Sequence, residues 1–434
     1  MENICSQKYL VINSTILAMN ALDITRSHIY GTAQKQGFQR DTLEKVVRLY
    51  YVLKDMTEKP LFRDNLALKG GTAINLAYFN LPRLSVDIDM DFTKSGKMSD
   101  LLSTRKEIKD NLFDLLLSQG YTINKSGKEP HTLDQWIFNY QSIDGNNDHI
   151  KIELNYGIRN HILPITEKEI KLDIVSDSGI KVPTLHPYEL FATKINALIE
   201  RTAVRDLFDV YHLTKSNMLL DPEAKEMLKK GIIFYHTIGV EGTPTKDIDI
   251  SRIMNVPPSK IKSQLMPLLP SGKKFFPIDA AKDSVTHYLS SVLTLSPTEQ
   301  KYMDNFSKGI YKPELLFSDS LILERIANHP MAIWKIEQIE KAFGTNKELS
   351  SRNKEFQEAI QSNDFLKLMK LKNEGFIPSS EAIKSLKESV PDQTMIAVQK
   401  IFSLPMEPSG LEHLQLVQSN NTGIKKDKSN DLNI

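Results

Sequence analysis

The chain has 434 residues, 40% hydrophobic and 25% charged, with 55 Lys+Arg against 54 Asp+Glu and a formal net charge of +1. That excludes a disordered chain, leaves room for more than one domain, and means that a nucleic-acid partner must be met by a local basic patch. One cysteine, Cys5, excludes an internal disulfide framework or a cysteine-rich metal site; with no basic leader followed by an apolar run, and no run of about 18 apolar residues, a cytoplasmic, non-membrane protein is expected.

Residues 1–60 are expected to be helical. The clearest helix runs through DTLEKVVRLYYVLKDM, with Asp41 as N-cap, Glu44 at the third helical position, and Leu43, Val46, Val47, Tyr50 and Leu53 as its apolar stripe. A strand at 65–69, a helix at 72–79, a strand at 86–92 and a helix at 106–119 then alternate as in an α/β unit. TLDQWIFNYQS and HIKIELNYGI flank the turn signal DGNND, which predicts a hairpin over 136–158. Strand character near LDIVS and IKVPTL follows, and Pro187 opens a helical stretch, HPYELFATKINALIERTAVRDLFDVYHLTKS.

From Pro222 onward the pattern is helices and loops. A Pro-, Gly- and Lys-rich run at 255–279 marks irregular connections, 297–343 is helical with Ile333 and Trp334 in the interior, and 350–403 is a separate helical block. The expected fold is α/β (α+β): a mixed-sheet core wrapped by helices, with a helical C-terminal half. Its expected divisions are a helical segment at 1–60, the core at 61–180, a helical domain completing the site at 181–345, a helical block at 346–418 and a flexible tail at 419–434.

The chemistry concentrates in LALKGGTAINLAYFNLPRLSVDIDMDF, residues 66–92. Gly70 and Gly71 permit a sharp turn, so that amides at the start of the next helix, with the Thr72 hydroxyl, can face a phosphate. Strand period 2 puts Asp87, Asp89 and Asp91 on one face, where a divalent cation is the simplest relief of their repulsion. An alternating acidic strand alone fits a solvated edge equally well; the preceding strand, Gly-Gly-Thr and helix favour nucleotidyl transfer.

A two-metal site also wants a carboxylate from a neighbouring strand. HIKIELNY offers Glu153, with Lys151 and Asn155 on the same face, although a surface Lys-Glu-Asn face describes that strand as well. Ser85 and Arg83 either bind a phosphate or end the loop before the acidic strand. Lys194 suits a leaving pyrophosphate but in isolation reads as a surface residue; Asp206 and Asp209 share a helical face beside Arg205. No P-loop, Rossmann or histidine-ligand spacing is present.

Together KGGTAINLAYFNLPRLSVDIDMDF, KIELNY and ELFATKINALIERTAVRDLFDVYHL resemble the AbiEii/AbiGii-type nucleotidyltransferase toxin family, which includes MenT-like tRNA-modifying toxins, within the polymerase-β-like superfamily. With TLEKVVRLYYVLKD and PELLFSDSLILERIANHPMAIWKIEQ, the resemblance spans residues 40–345 and leaves the block from 350 unmatched. It implies a toxin of a type IV toxin-antitoxin or abortive-infection (phage-defence) system with a cognate antitoxin. Such a toxin uses Mg²⁺ or Mn²⁺ to move a nucleoside monophosphate from a nucleoside triphosphate to an acceptor hydroxyl, the tRNA 3′ end foremost.

Joined to the strand pattern, the resemblance implies Asp87, Asp89, Lys194 and Asp206 as catalytic, and Gly70, Gly71, Thr72, Ser85, Lys151 and Lys194 as nucleotide-binding. Asp87, Asp89 and Glu153 are the expected metal ligands. Arg159, Lys168, Lys171 and the Lys273-Lys274 pair are the expected basic surface for RNA. A transferase acting on a protein or small molecule would share every motif. A non-catalytic binding module would be expected to have lost one of the acidic or phosphate-contacting groups, and none is missing.

Overall fold

A computed structural model describes residues 25–402 apart from 97, 176–178, 217, 219–220, 240–243, 245–246, 274, 375, 377 and 379–390. Cys5, Lys274, the first 24 residues of the N-terminal segment and the tail expected at 419–434 lie outside the described residues. By its internal contacts the chain divides into two compact units, Met1–Ile339 and Glu340–Ile434.

The first unit is built on a mixed sheet. Its strands are β1 (Leu66–Leu68), β2 (Asp87–Phe92), β3 (Thr122–Lys128), β4 (Leu133–Gln141), β5 (Asn147–Asn155), β6 (Thr166–Ile170) and β7 (Ile180–Thr184), in the order β3-β4-β5-β2-β1-β7-β6. β2 pairs with β5, and β1 with β7, in parallel; the other pairs are antiparallel. Alternation gives each central strand two unlike faces. Ile88, Met90 and Phe92, with Ile150, Ile152 and Leu154, are buried on one, while the carboxylates of both strands take the other.

Two helices cover the apolar face, α2 (Arg40–Glu58), which follows α1 (Arg26–Gln36), and α3 (Met98–Ser118). From α3, Phe113 meets Trp136 and Phe138 edge-on at 5.3 and 5.5 Å. That helix starts at Met98, earlier than the 106–119 expected from the sequence. In α2 the stripe is as expected, with Leu43, Val46, Val47, Tyr50 and Leu53 all buried, but the cap is not. Gln39 is the N-cap and Glu44 is drawn away from the helix end. It accepts from Arg48 Nε at 2.8 Å and from the backbone N–H of Ile143 at 3.1 Å in the hairpin turn, while Arg48 Nη2 donates to the Gln141 carbonyl at 3.2 Å. An i,i+4 ion pair and hydrogen bonds to the hairpin turn have outcompeted a local capping box.

The strand expected near LDIVS is instead a turn, and the strand lies just before it at Thr166–Ile170. Its sequence, TEKEI, is polar because it is a sheet edge, where charge opposes pairing with another chain.

Beyond the sheet come α4 (Pro187–Arg201), α5 (Val204–Lys215), α6 (Pro222–Gly239), a series of short 3₁₀ and π turns from Ile250 to Lys273, α7 (Ile278–Val292), α8 (Pro297–Phe306), α9 (Ser320–Ile326) and α10 (Pro330–Gln361). Pro187 does occupy the first turn of α4, with His186 as N-cap. Ile333 and Trp334 are not interior: they are 41% and 49% exposed. The inward face of α10 is phased instead on Ala332, Lys335 and Ile339, and Trp334 borders an apolar cavity of about 520 Å³ with Phe92, Met98, Leu101 and Met331. No helix among the described residues is long and apolar enough to cross a membrane.

The second unit has its own small core. Phe356 and Ile360, Leu368 and Leu371 of α11 (Phe365–Asn373), and Val398 of α12 (Asp392–Phe402) pack with Phe376, and Phe356 meets Phe402 edge-on at 5.3 Å.

Candidate active site

The parallel register of β2 and β5 sets Asp87 opposite Lys151 and Asp89 opposite Glu153, so three carboxylates and a lysine from sequence-distant strands share one face. They form the strand wall of a cleft of about 340 Å³ that is lined also by Gly70, Gly71, Ser85 and Asp91 and, from the helices that follow the sheet, by Lys194, Arg201, Arg205 and Asp206. Thus Asp87, Asp89, Glu153, Lys151, Gly70, Gly71, Ser85, Lys194 and Asp206, all singled out from the sequence, border one cavity.

The Gly-Gly turn is fixed by close approach. Gly70 has φ +68° and a Cβ there would stand 2.5 Å from Asp89 Oδ2; one on Gly71 would meet Arg83 Nη2 at 2.8 Å. After one helical turn the backbone continues as a π segment, Ala73–Tyr78. Thr72 differs from expectation. It is fully buried, its hydroxyl hydrogen-bonded to the Asp87 carbonyl with Ser85 Oγ 3.0 Å away, so it ties the turn to the acidic strand rather than facing the cleft.

On the strand wall, negative charge is only partly balanced. Lys151 Nζ lies 2.7 Å from Glu153, and Lys69 Nζ lies 2.5 Å from Asp91. Burial, and then the neighbouring Asp87 and Glu153 charges, push the Asp89 carboxyl up to about 6.

On the helix wall both aspartates are paired. Thr202 adopts the left-handed φ of 48° and ends α4, turning the chain into α5 so that the two helices face each other. Lys194 Nζ lies 3.0 Å from Asp206 and 3.3 Å from Asp209; Arg201 grips Asp206 at 2.6 and 2.8 Å. Arg83 grips Asp209 in a fork at 2.8 and 2.6 Å, and Asn75 Nδ2 donates to the same carboxylate at 3.2 Å. Burial pushes the Asp206 carboxyl up, but the Lys194 and Arg201 cations outweigh it and hold it at about 2. Lys194 is therefore no surface residue: it is 7% exposed.

Sequence reasoning missed Lys69 and Arg201, and it left Arg83 between phosphate contact and loop end. Arg83 is instead consumed by Asp209, a partner far along the chain. Of the expected basic surface, Lys168 lies over the Tyr78 ring and Lys171 pairs with Glu169, both away from the cleft.

The strand wall fits a divalent cation by its donor set. Asp87, Asp89 and Glu153 are hard oxygen donors with excess negative charge, and burial, then the two neighbouring carboxylates, raise the Asp89 carboxyl. Among the described residues no three His, Cys, Asp or Glu side chains converge on one point as a ready cage. Magnesium suits such a wall, since it takes one or two carboxylates and completes its shell with water and substrate phosphates.

No curated protein matches the chain. A solved structure, the nucleotidyltransferase toxin MenT4 from Mycobacterium tuberculosis H37Rv, aligns with a TM-score of 0.49 and 16% identity over 71% of this chain and 99% of that one. The family described as nucleotidyl transferase AbiEii toxin, type IV toxin-antitoxin system, matches residues 51–285, which hold every wall of the cleft. That is more than half of the sequence, and the chain belongs to this family of nucleotidyltransferase toxins.

Proposed function

We propose that the protein transfers a nucleoside monophosphate from a nucleoside triphosphate to the 3′-terminal hydroxyl of tRNA, in the cytoplasm, in a magnesium-dependent reaction restrained by a cognate antitoxin. One observation carries the reading: the β2 and β5 carboxylates and the cations Lys194, Arg201 and Arg205 line one cleft, as a reaction needs that moves a polyanion past a metal-binding edge.

Asp87, Asp89 and Glu153 would hold Mg²⁺ (or Mn²⁺), which when bound neutralises the triphosphate and polarises the α-phosphorus. The chain's own residues do the rest. Lys194 spends two of its three N–H donors on Asp206 and Asp209 and keeps one for a phosphate; Arg201 and Arg205 add guanidinium donors beside it. Asp206 acts through Lys194 and Arg201, fixing their heads. The Gly70–Gly71 turn and Ser85 line the floor, where backbone amides and a hydroxyl suit phosphate oxygens, and Lys151 stands beside Glu153.

The acceptor oxygen attacks the α-phosphorus, a strand carboxylate takes its proton, the bond to the β-phosphate oxygen breaks, and pyrophosphate leaves toward the cationic wall. The test is incubation with each labelled triphosphate, Mg²⁺ and total cellular RNA. Label in tRNA, lost on chelation, is expected; label confined to protein or metabolites would replace RNA with another acceptor.

A further inference from the structure

β2 and β5 are parallel, and beyond their C-terminal ends both lead into a second cleft, of about 450 Å³. The two clefts are lined by adjoining stretches of chain. Asp87, Asp89 and Asp91 border the active-site cleft; Thr93 and Ser95, just past the end of β2, border the second. Ile158 borders the first, and its neighbour Arg159 the second. From Asp89 to Thr93 is four residues, about 13 Å of extended chain.

Arg159 is unusual in this molecule. Arg48, Arg83, Arg105 and Arg201 each bind a carboxylate. Arg159 is half-buried and, among the described residues, has no hydrogen bond, ion pair or ring contact; burial lowers its pKa with nothing to offset it. A guanidinium stripped of part of its water without a counter-ion favours an anion. Around it the cleft offers Thr93 and Ser95 hydroxyls, the Asn160 side chain and Arg325, against one carboxylate, Glu324. Among the described residues Arg325 makes one side-chain hydrogen bond, to the Ile162 carbonyl at 3.4 Å, so most of its donors remain.

We propose that this cleft binds a backbone phosphodiester of the acceptor RNA strand upstream of the reacting hydroxyl, with Arg159 as the main contact and Arg325, Thr93 and Ser95 completing the donor set. The inference rests on the RNA-acceptor reading above. The nucleotide's own phosphates have their donors on the opposite wall, at Lys194, Arg201 and Arg205, so an anion here belongs to the second substrate. A phosphodiester fits better than a protein carboxylate because the forked guanidinium and flanking hydroxyls match several oxygens on one centre. A strand running from this cleft to the strand carboxylates would present its terminal hydroxyl to them.

The test compares wild type, Arg159→Ala and Arg159→Lys for tRNA labelling. Arg159 has no partner in the fold, so all three should unfold alike. The expected result is a KM for tRNA raised about ten- to a hundredfold in Arg159→Ala, an unchanged KM for the triphosphate, and partial recovery in Arg159→Lys. The slope of log affinity against log salt should fall by about one. If wild type labels tRNA and Arg159→Ala matches it in KM and salt slope, the phosphate site is overturned while the acceptor reading stands. If wild type labels no RNA at all, both fall.

Discussion

The two walls of the cleft hold the same kind of residue in opposite states. On the strand side Asp89 is raised to about 6, by burial and then by Asp87 and Glu153; on the helix side Asp206 is held at about 2 although burial pushes it up, because Lys194 and Arg201 grip it. The helix wall is complete as folded, each aspartate meeting two cations. The strand wall pairs Glu153 with Lys151 and Asp91 with Lys69, and among the described residues Asp87 and Asp89 have no ion pair. One aspartate-rich site thus holds paired and unpaired carboxylates, told apart by partners rather than by residue type.

The sharpest way to break this contrast is one substitution made on both walls. Asp209→Asn should destabilise by about 3–5 kcal/mol in denaturant unfolding, because it leaves Arg83 buried without its counter-charge. Asp89→Asn should leave the metal-free protein as stable as wild type or more so at neutral pH. Equal losses from both would erase the distinction. For activity the order reverses: Asp87→Asn or Asp89→Asn should slow transfer about a hundredfold, some 3 kcal/mol of transition-state stabilisation, and abolish growth toxicity with the fold intact. Near-wild-type transfer would remove the metal role.

pH sharpens it further. A carboxyl raised above its unfolded value holds more protons folded than unfolded between about pH 4 and pH 6, so metal-free stability should fall as pH rises through that window. Asp206 has the opposite sign: its contribution is present above about pH 4 and is lost as pH falls through about 2. Melting with a chelator at each pH should show the first slope in wild type and not in Asp89→Asn. The smallest effect is at Lys151, whose half-exposed pair with Glu153 is worth about 1 kcal/mol or less. Lys151→Ala should chiefly move the Asp89 midpoint upward, visible as a shifted pH profile of transfer.

Much of this was legible from two periodicities. Period 2 put Asp87 with Asp89 and Lys151 with Glu153, and helical spacing put Asp206 with Asp209. What escaped were pairings between segments. Arg83 with Asp209, and Glu44 with the hairpin turn, join residues on which no local pattern acts. Lys69 and Arg201 resemble ordinary surface cations until the fold brings Asp91 and Asp206 to them. Thr72 was given a phosphate because its motif opens a helix, yet the nearest acceptor was the Asp87 carbonyl of the strand behind it. Trp334 was assigned inward on its identity; the phase of its helix decides otherwise.

The clamp of Glu44 and Arg48 on the β4–β5 hairpin has a consequence for which insertions the chain can bear. Surface turns ordinarily tolerate an added residue at little cost. The turn at 142–146 is closed by hydrogen bonds from the Ser142 N–H to the Asn146 carbonyl and from the Gly145 N–H to the Ser142 carbonyl, each 2.8 Å, with α2 gripping Gln141 and Ile143. It acts as a length gauge for β5. One residue too many would slide the strand a step, sending Glu153 into the apolar core and Leu154 into the cleft. Glu153 lies seven residues from Asn146, about 24 Å along the strand. A single-codon insertion there would disarm the toxin while every charged residue of the cleft stayed in the gene.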